Sequence, residues 1–254
     1  MTTKKTVALL VAIMAVVSVL AVQAADRQRV KEQRRTARFE RIRLLGSPDI
    51  KYRQADSLSV YVVAPKSVAR HVVTEVEGNC LVVRMKGNGN RLLKIGSVNG
   101  DGVTVYVTSP DLTAVELLGS GDFSGKGRLD TDRLSVSVKG SGSIKFDDII
   151  CDDIKTVLVG SGDADIKRLD ALRSSVEVVG SGSVEMSQRK VRQTRVELKG
   201  SGDVTLKLQD CGELHTRLLG SGDVTLSGNV GSHKYYKRGT GDIDASKLQV
   251  KTKK

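Results

Sequence analysis

The sequence predicts an all-β protein built as a single-domain β-helix, that is, a β-solenoid with coils of about 20 residues. The first observation is a recurring tripeptide, Gly-Ser-Gly, which begins at Gly119, Gly140, Gly160, Gly180, Gly200 and Gly220 and ends with a variant, Gly-Thr-Gly, at Gly239. The second is that apolar and polar residues alternate on both sides of each tripeptide, which is typical of strands. The third is composition: 26 glycines, three prolines and no tryptophan, without long helical periodicity outside the N-terminus.

The tripeptides are predicted to form the corners between strands. Glycine adopts positive φ at little cost and has no side chain to collide with the next coil, so it suits a corner of stacked strands. The predicted corner residues are Gly119, Ser120, Gly121, Gly140, Gly142, Gly160, Gly162, Gly180, Gly182, Gly200, Gly202, Gly220, Gly222, Gly239 and Gly241.

Each corner is flanked by residues that predict two short strands. Around one corner, Val176 and Val178 precede Gly180 and Val184 follows it, with polar residues between them. Residues two apart point to the same face of a strand, so these side chains share an interior. Residues 113–250 are therefore expected to repeat as strand, corner, strand and looser arm, with parallel pairing between successive coils.

The N-terminus is predicted to be a cleaved signal peptide, residues 1–24. Lys4 and Lys5 form a positive end, an apolar run follows, and Val22-Gln23-Ala24 supplies small residues for a signal peptidase. The alternative is a single membrane anchor, but the apolar run is short for a span. Residues 25–38 are expected to be a basic leader, flexible or helical.

Residues 39–112 show the strand pattern without the Gly-Ser-Gly corners. Alternating segments such as 58–62 and 103–107 are separated by turn residues such as Ser47-Pro48-Asp49. A solenoid needs a cover over its first coil, because an open sheet edge invites aggregation. This part is expected to form either irregular starting coils or a capping sheet. At the other end, residues 251–254 form a basic tail.

The formal charge of +12 at pH 7 bears on the choice of partner. Lys4 and Lys5 are the only charged residues of the signal peptide, so the remainder carries +10. Export argues against nucleic acid, and the charge favours an acidic polysaccharide, a cell-surface glycan or another anionic envelope polymer. The alternative is a solvated surface without a ligand. Membrane contact is expected only through the signal segment, and the oligomeric state stays open.

Three cysteines, Cys80, Cys151 and Cys211, match no zinc-binding spacing. In an oxidising compartment at most one disulfide could form, and one thiol would be left over. Free cysteine behaves as a small apolar residue and is often buried, so buried thiols are the favoured interpretation.

The residue after the corner is acidic in most coils, and stacking would place these side chains in a ladder about 5 Å apart. One hypothesis is a row of calcium ligands, since calcium prefers oxygen donors. The other is that each side chain accepts a backbone N–H at its own corner, as Asp and Ser do in turns. The second is favoured because Ser143 and Ser183 replace aspartate, so no cofactor is expected. The acidic ladder comprises Asp122, Asp163, Asp203, Asp223 and Asp242.

Pairs of carboxylates raise the question of glycoside hydrolysis, which needs two carboxyl groups at a defined separation. Any acidic ladder supplies such pairs by accident, the histidines stand apart from one another, and no odd loop interrupts the repeat. The sequence therefore predicts that the protein is not an enzyme and has no catalytic residues. The pairs weighed are Asp147 with Asp148, Asp152 with Asp153, and Asp163 with Asp165.

Three segments carry a family resemblance: FERIRLLGSPDIKY, VTVYVTSPDLTAVELLGSGD and, after the serial Gly-Ser-Gly repeats, KYYKRGTGDIDASKL. They resemble the head GIN domain family of auto-transporter adhesins, a domain of unknown function found largely in Bacteroidetes. The likeness spans residues 38–250. It implies a β-helix of pectin-lyase-like architecture and a role in cell adhesion, and it implies no catalytic residues.

Three functions remain open from the sequence. The favoured one is an exported, non-catalytic solenoid that binds a glycan or envelope polymer, in the periplasm or on the surface of a Gram-negative bacterium. The second is a polysaccharide lyase or glycoside hydrolase on a β-helix, although a fold alone does not imply chemistry. The third is a structural envelope protein without an external ligand.

Overall fold

The computed structural model describes residues 28–86 and 102–251, so the predicted signal peptide lies outside the described residues. The first part contains β1 (Arg29–Arg34), β2 (Arg41–Gly46), β3 (Asp49–Gln54), β4 (Ser59–Pro65), the short helix α1 (Lys66–Ala69), β5 (Val72–Glu77), β6 (Cys80–Met85) and β7 (Thr104–Ser109). The second contains β8 (Ala114–Gly119), β9 (Phe123–Asp130), β10 (Arg133–Gly140), β11 (Ser143–Gly160), β12 (Asp163–Gly180), β13 (Ser183–Arg189), β14 (Gln193–Gly200), β15 (Asp203–Gly220), β16 (Asp223–Arg238) and β17 (Ile243–Val250).

Successive coils stack as parallel strands, which confirms the predicted β-solenoid. Strand β10 pairs with β8 on one side and with β11 on the other, and Val136 lies opposite Val115 and Thr156. A repeat of about 20 residues returns the chain to the same position one strand spacing further along the axis. Core-facing side chains such as Val136 and Val138 are fully buried, and each such burial contributes about 1.5–3 kcal/mol.

The corners explain why the repeat uses two glycines. At one corner, Gly200 has φ +130°, and the carbonyl oxygen of Gly180 accepts N–H bonds from Ser201 at 2.9 Å and Gly202 at 3.1 Å. A Cβ on Gly200 would lie 2.2 Å from the Gly180 carbonyl oxygen, and one on Gly202 would lie 2.1 Å from that of Gly182. Carbon and oxygen cannot approach so closely, so both positions exclude side chains. The first glycine of every predicted corner has positive φ, from +120° at Gly160 to +147° at Gly220.

A further corner lies much earlier in the chain and stacks on the first Gly-Ser-Gly corner. Gly46 has φ +98°, aligns with Gly119, and its carbonyl oxygen accepts the N–H groups of Ser120 at 3.0 Å and Gly121 at 2.9 Å. The corner is Gly-Ser-Pro instead of Gly-Ser-Gly, and the sequence had indicated only a turn there. The coil formed by β2 and β3 is inserted between two coils that come later in the chain, because β2 pairs with both β6 and β8.

The first coil, made of β6 and β7, is covered by antiparallel strands. Strand β4 pairs with β7 and with β1, and β5 pairs with β6. Residues 29–34 therefore form a strand of the cap, and the expectation of a flexible or helical leader is wrong for them. The physical reason is their period of two, which turns Val30, Glu32 and Arg34 toward the protein while alternate residues face solvent. In the described part of residues 39–112, the parallel strands β2, β3, β6 and β7 form coils, and the antiparallel strands β4 and β5 belong to the cap.

Aromatic rings fill the interior near the N-terminal end. The ring centroids of Tyr52 and Phe123 are 6.0 Å apart, and those of Phe123 and Phe146 are 5.3 Å apart. All three side chains are buried. Gly125 makes room for the column, since a Cβ there would lie 2.4 Å from Cδ1 of Phe146. The first pair is stacked and the second is tilted, and aromatic contacts of either kind add about 0.5–1.5 kcal/mol per pair beyond burial.

A polar cluster interrupts the aliphatic interior further along the axis. Gln188 takes the place that Leu169 and Leu208 hold in neighbouring coils. Its Nε2 donates to Ser174 Oγ at 3.1 Å, and its Oε1 accepts from Thr194 Oγ1 at 2.6 Å. Buried polar groups that bond one another in this way avoid the cost of unsatisfied partners.

The three cysteines are buried and unbridged, which confirms the favoured interpretation of them as small apolar residues. Burial, reinforced by the nearby carboxylates of Asp153 and Asp152, raises the pKa of Cys151 to about 12. Burial likewise raises the pKa of Cys80 and of Cys211. Thiols with raised pKa are poor nucleophiles, because the thiolate is the reactive form.

Candidate anion-binding groove

The acidic ladder that the sequence predicts is present, and its partners differ from those expected. Oδ1 of Asp122 accepts the backbone N–H of Ser143 at 2.9 Å, and Oδ1 of Asp223 accepts that of Asp242 at 2.8 Å. The acceptor and donor therefore belong to successive coils, and the hypothesis of a hydrogen bond within each residue's own corner is wrong. The reason is geometric, since the in-register stack brings the next coil's N–H directly over the carboxylate. The same bond joins Asp49 to Asp122, Asp163 to Ser183 and Asp203 to Asp223.

The two serines of the ladder show why aspartate is not required in every coil. After Ser143, the N–H of Asp163 bonds the carbonyl oxygen of Gly142 at 3.3 Å, and after Ser183 that of Asp203 bonds Gly182 at 3.2 Å. A backbone acceptor thus replaces the missing carboxylate. Within residues 28–86 and 102–251, no group of three or more His, Cys, Asp or Glu is arranged to hold a metal ion. The ladder's geometry is that of a structural seam between coils.

Of the carboxylates weighed for glycoside hydrolysis, Asp147, Asp148 and Asp153 are engaged with cations. Asp147 Oδ1 lies 2.9 Å from Lys167 Nζ, and Arg173 Nη2 lies 2.7 Å from Asp153 Oδ2. These hydrogen bonds lower the pKa of Asp147 and of Asp153. A glycosidase needs one carboxyl group with a raised pKa to serve as the general acid. The pKa values of Asp147 and Asp153 are lowered, whereas a general acid requires a raised pKa.

Many charged side chains on the outer faces pair from coil to coil. A cation on one coil lies beside a carboxylate on the next, so much of the surface charge is neutralised locally. Exposed pairs of this kind each contribute little to stability. The pairs are Arg43–Glu116, Arg128–Asp148, Lys167–Asp147, Arg173–Asp153, Arg189–Asp170, Lys207–Glu185 and Arg217–Glu197.

These pairs predict that the protein loses stability in acid. Hydrogen bonds from Lys167, Arg173 and Arg189 lower the pKa of Asp147, Asp153 and Asp170 in the folded state. The unfolded pKa of Asp is about 3.9, so the unfolded chain binds more protons as the pH falls through that value. The stabilisation is thus complete above about pH 4–5 and is lost as the pH falls through the folded pKa values.

We expect the melting temperature, followed by circular dichroism, to be level above about pH 5 and to fall steadily below about pH 4. Asp170→Asn should reduce the slope of that fall. Asp56→Asn is the matched control, because Asp56 is exposed and has no ion pair in the described part of the chain. Equal slopes for the two variants would contradict the assignment.

A groove at the capped end differs from the faces because most of its cations form no ion pair within the described part of the chain. Five cations line it: Arg34, Arg35, Arg70, Arg84 and Lys86, here called the cap groove. They come from the end of β1, the residue after α1, and the end of β6. Strand β5 supplies the rest of the lining, including a single acidic residue. The groove has a volume of about 460 Å³.

The cations of the cap groove are only partly neutralised. Arg34 Nη2 bonds the Ala69 carbonyl oxygen at 2.9 Å and lies 2.9 Å from Glu32, while its buried Nε has no partner. Arg84 lies 3.4 Å from Glu75. Across residues 28–86 and 102–251, no carboxylate forms an ion pair with the remaining three cations. Those three are Arg35, Arg70 and Lys86.

The chemistry of this arrangement is anion recognition. A guanidinium group stays protonated at all physiological pH and donates to carboxylate, sulfate or phosphate through a planar fork of N–H groups. Sequence reasoning identified the basic run that includes Arg34 and Arg35, but it could not join this run to residues 70–86. The antiparallel pairing of the cap brings them together, and no local signal in the sequence specifies that pairing.

No helix within the described ranges is long and apolar enough to cross a membrane. The stacked coils, glycine corners and capped end place the chain among the β-solenoid proteins. It belongs to the family described as "Putative auto-transporter adhesin, head GIN domain", whose model matches residues 38–210 and 174–254. The resemblance noted from the sequence is thus confirmed.

Solved structures share this fold at low sequence identity. A putative adhesin from Bacteroides fragilis has a TM-score of 0.75 at 20% identity, over 85% of this chain and 96% of that one. A putative lipid binding protein from Parabacteroides distasonis has a TM-score of 0.69 at 21% identity, over 89% and 98%. A putative adhesin from Parabacteroides merdae has a TM-score of 0.64 at 16% identity, over 89% and 98%. No curated protein matches the sequence.

Proposed function

We propose that the protein is an exported, non-catalytic binding protein of the cell envelope that holds an acidic polysaccharide or other anionic envelope polymer in the cap groove. The observation that carries this proposal is the concentration of five cations around one groove with a single acidic lining residue. The family's description as adhesins supports a binding role, as do the names of the structural neighbours, which are adhesins and a lipid binding protein.

The groove suits a polymer better than a small isolated anion. It is open to solvent, and its cations are spread over three segments of the cap instead of converging on one point. Each contact between an exposed guanidinium and an anionic sugar is weak and screened by salt. A polymer compensates because linked groups bind with a high effective concentration once the first is held. The predicted signal peptide supports an envelope location.

The test measures retention of the chain from Ala25 onward on immobilised polygalacturonate, a carboxylated polymer, and on neutral dextran, across a salt series. We expect selective retention on polygalacturonate. The double variant Arg35→Gln/Arg70→Gln removes two unpaired cations and should weaken binding about tenfold or more, at roughly 0.7 kcal/mol or more per contact. The matched control is Arg192→Gln/Arg195→Gln, which removes the same charge from an exposed site outside the groove.

Several outcomes would overturn the proposal. Equal weakening by both double variants would mean that net charge alone attracts the polymer. No retention on any polymer would favour a structural envelope protein without a ligand. Recovery of shortened polymer would mean that the protein is a glycan-cleaving enzyme after all.

A further inference from the structure

The last coil of the solenoid, here called the terminal coil, comprises residues 232–250. Strand β17 pairs with β16 alone, and residues 232–238 pair with β15 alone, within the described part of the chain. Inner coils pair on both sides, and the opposite end of the solenoid is covered by the cap. Among the residues that the structure describes, no strand pairs with the outer edge of the terminal coil, and such an edge is a template for pairing through its backbone N–H and C=O groups.

Side chains at core-facing positions are exposed at this end of the solenoid. Tyr235 aligns with Thr216, which is 3% exposed, yet Tyr235 itself is 68% exposed. Val250 aligns with the fully buried Val230 and is 49% exposed. Ile243 packs against the core and is only partly buried. Core-facing positions that are closed in every inner coil are thus open here.

The charge of the terminal coil indicates what kind of partner fits. Lys237 lies 3.3 Å from Asp242, and Lys251 lies 3.0 Å from Asp210 of an inner coil. Three more cations, Lys234, Arg238 and Lys247, form no ion pair within residues 28–86 and 102–251, and they outnumber the one remaining carboxylate of the coil, Asp244. A second copy of this chain docked end to end would oppose these cations with one another, which is unfavourable. An acidic partner would meet them with opposite charge.

We infer that the terminal coil binds an extended acidic segment of a partner protein as an additional β-strand. Backbone pairing supplies affinity in this mode, and alternate side chains supply specificity. Tyr235 lies on β16 and Ile243 on β17, so the added segment follows the bend of the coil beneath it. One face of the segment covers Tyr235 and Ile243, and its outward carboxylates lie near Lys234 and Lys247. A lipid surface fits less well, because unpaired backbone groups are costly to bury in hydrocarbon.

The hydrogen-bond pattern of β17 identifies an edge group to block. The N–H of Lys251 bonds the Val230 carbonyl oxygen at 2.8 Å, so it points toward the inner coil. Successive N–H groups of a strand point to opposite edges, and that of Val250 therefore points outward. Proline at such a position is tolerated in an edge strand and removes the donor.

The test uses the chain from Ala25 onward and a fluorescent peptide of about eighteen residues, long enough for two strands. Two runs that alternate valine or threonine with glutamate are joined by Gly-Ser-Gly, so that the peptide can follow both β16 and β17. A second peptide with lysine in place of glutamate is the charge control. We expect saturable binding of the acidic peptide alone. Val250→Pro and Tyr235→Glu should each weaken it at least tenfold. Val159→Glu is the matched control, since Val159 is 42% exposed on an inner coil.

Failure of this inference is distinguishable from failure of the proposed function. The double variant Arg35→Gln/Arg70→Gln should bind the peptide as well as the unsubstituted protein does. If this variant no longer binds the peptide, the peptide binds in the cap groove. If Val250→Pro and Tyr235→Glu bind the acidic peptide as tightly as the unsubstituted protein does, strand addition is refuted. Concentration-dependent dimerisation abolished by Tyr235→Glu would make a second copy the occupant. Binding to phosphatidylglycerol vesicles abolished by the same variant would make it a lipid surface.

Discussion

Gly200→Ala is expected to lower the free energy of unfolding by about 3–5 kcal/mol. Two costs combine at this residue. Its φ of +130° is one that side-chain-bearing residues rarely adopt, and the new Cβ would lie 2.2 Å from the carbonyl oxygen of Gly180. That oxygen already accepts two N–H bonds from the next coil, so moving it away disrupts the seam between coils.

Two further variants separate the costs. Gly127→Ala meets only the conformational cost, because φ is +76° and nothing lies within 4 Å of the new Cβ, so we expect a loss of about 1 kcal/mol. Gly202→Ala meets the close contact at 2.1 Å without a positive φ. Urea unfolding followed by circular dichroism measures all three. If Gly200→Ala were no worse than Gly127→Ala, the tight stacking of the corners would be refuted.

Phe146→Ala is expected to cost about 3–5 kcal/mol, the usual range for removing a buried aromatic side chain. The ring is 1% exposed and packs against Phe123 in a tilted arrangement, with the ring centroids 5.3 Å apart. Its removal leaves a cavity in a narrow interior that has coils on both sides, so the surroundings have little freedom to collapse. The loss should appear as a lower urea midpoint with an unchanged dependence on urea concentration.

Gly125 provides an internal check on that prediction. Alone, Gly125→Ala should destabilise the protein, because the Cβ would lie 2.4 Å from Cδ1 of Phe146. Combined with Phe146→Ala, the same methyl group enters the vacated space and should restore part of the lost stability. Contacting residues couple in this way, whereas independent ones add. Strict additivity of the two substitutions would show that the side chains do not meet.

The repeat could be predicted from the sequence because the residues that define each coil lie close together in the chain. Each Gly-Ser-Gly corner and its flanking alternation lie within a single coil, so the period alone fixes the strand register. The corner at Gly46 lies outside the repeat pattern, because it reads Gly-Ser-Pro and aligns with Gly119, a residue far away in the sequence. The partner of each ladder aspartate was missed for a related reason. It is a backbone group of the next coil, and residue type does not reveal it.

The candidate groove depended on information that sequence patterns do not contain. Arg34 and Arg35 were visible as part of a basic run, but Arg70, Arg84 and Lys86 lie on other segments. Antiparallel pairing of β1 with β4 and of β5 with β6 decides that these cations meet. Such pairings are fixed by the burial of one face of each strand against the first coil, which is a tertiary effect.

The inserted coil of β2 and β3 has a consequence for the order in which the protein assembles. Coils from β10 onward contact the coil that directly precedes them in the chain. Each can therefore form as soon as its own residues are available, because the coil it pairs with has already formed. Strand β2 must instead wait for β8, which is separated from it by five other strands. Closing that longer loop costs about 1 kcal/mol more by chain entropy. While the chain is being synthesised from its N-terminus, the coil of β2 and β3 therefore lacks its β8 neighbour until residue 119 has been made. The repeats then provide the surface on which the capped end is completed.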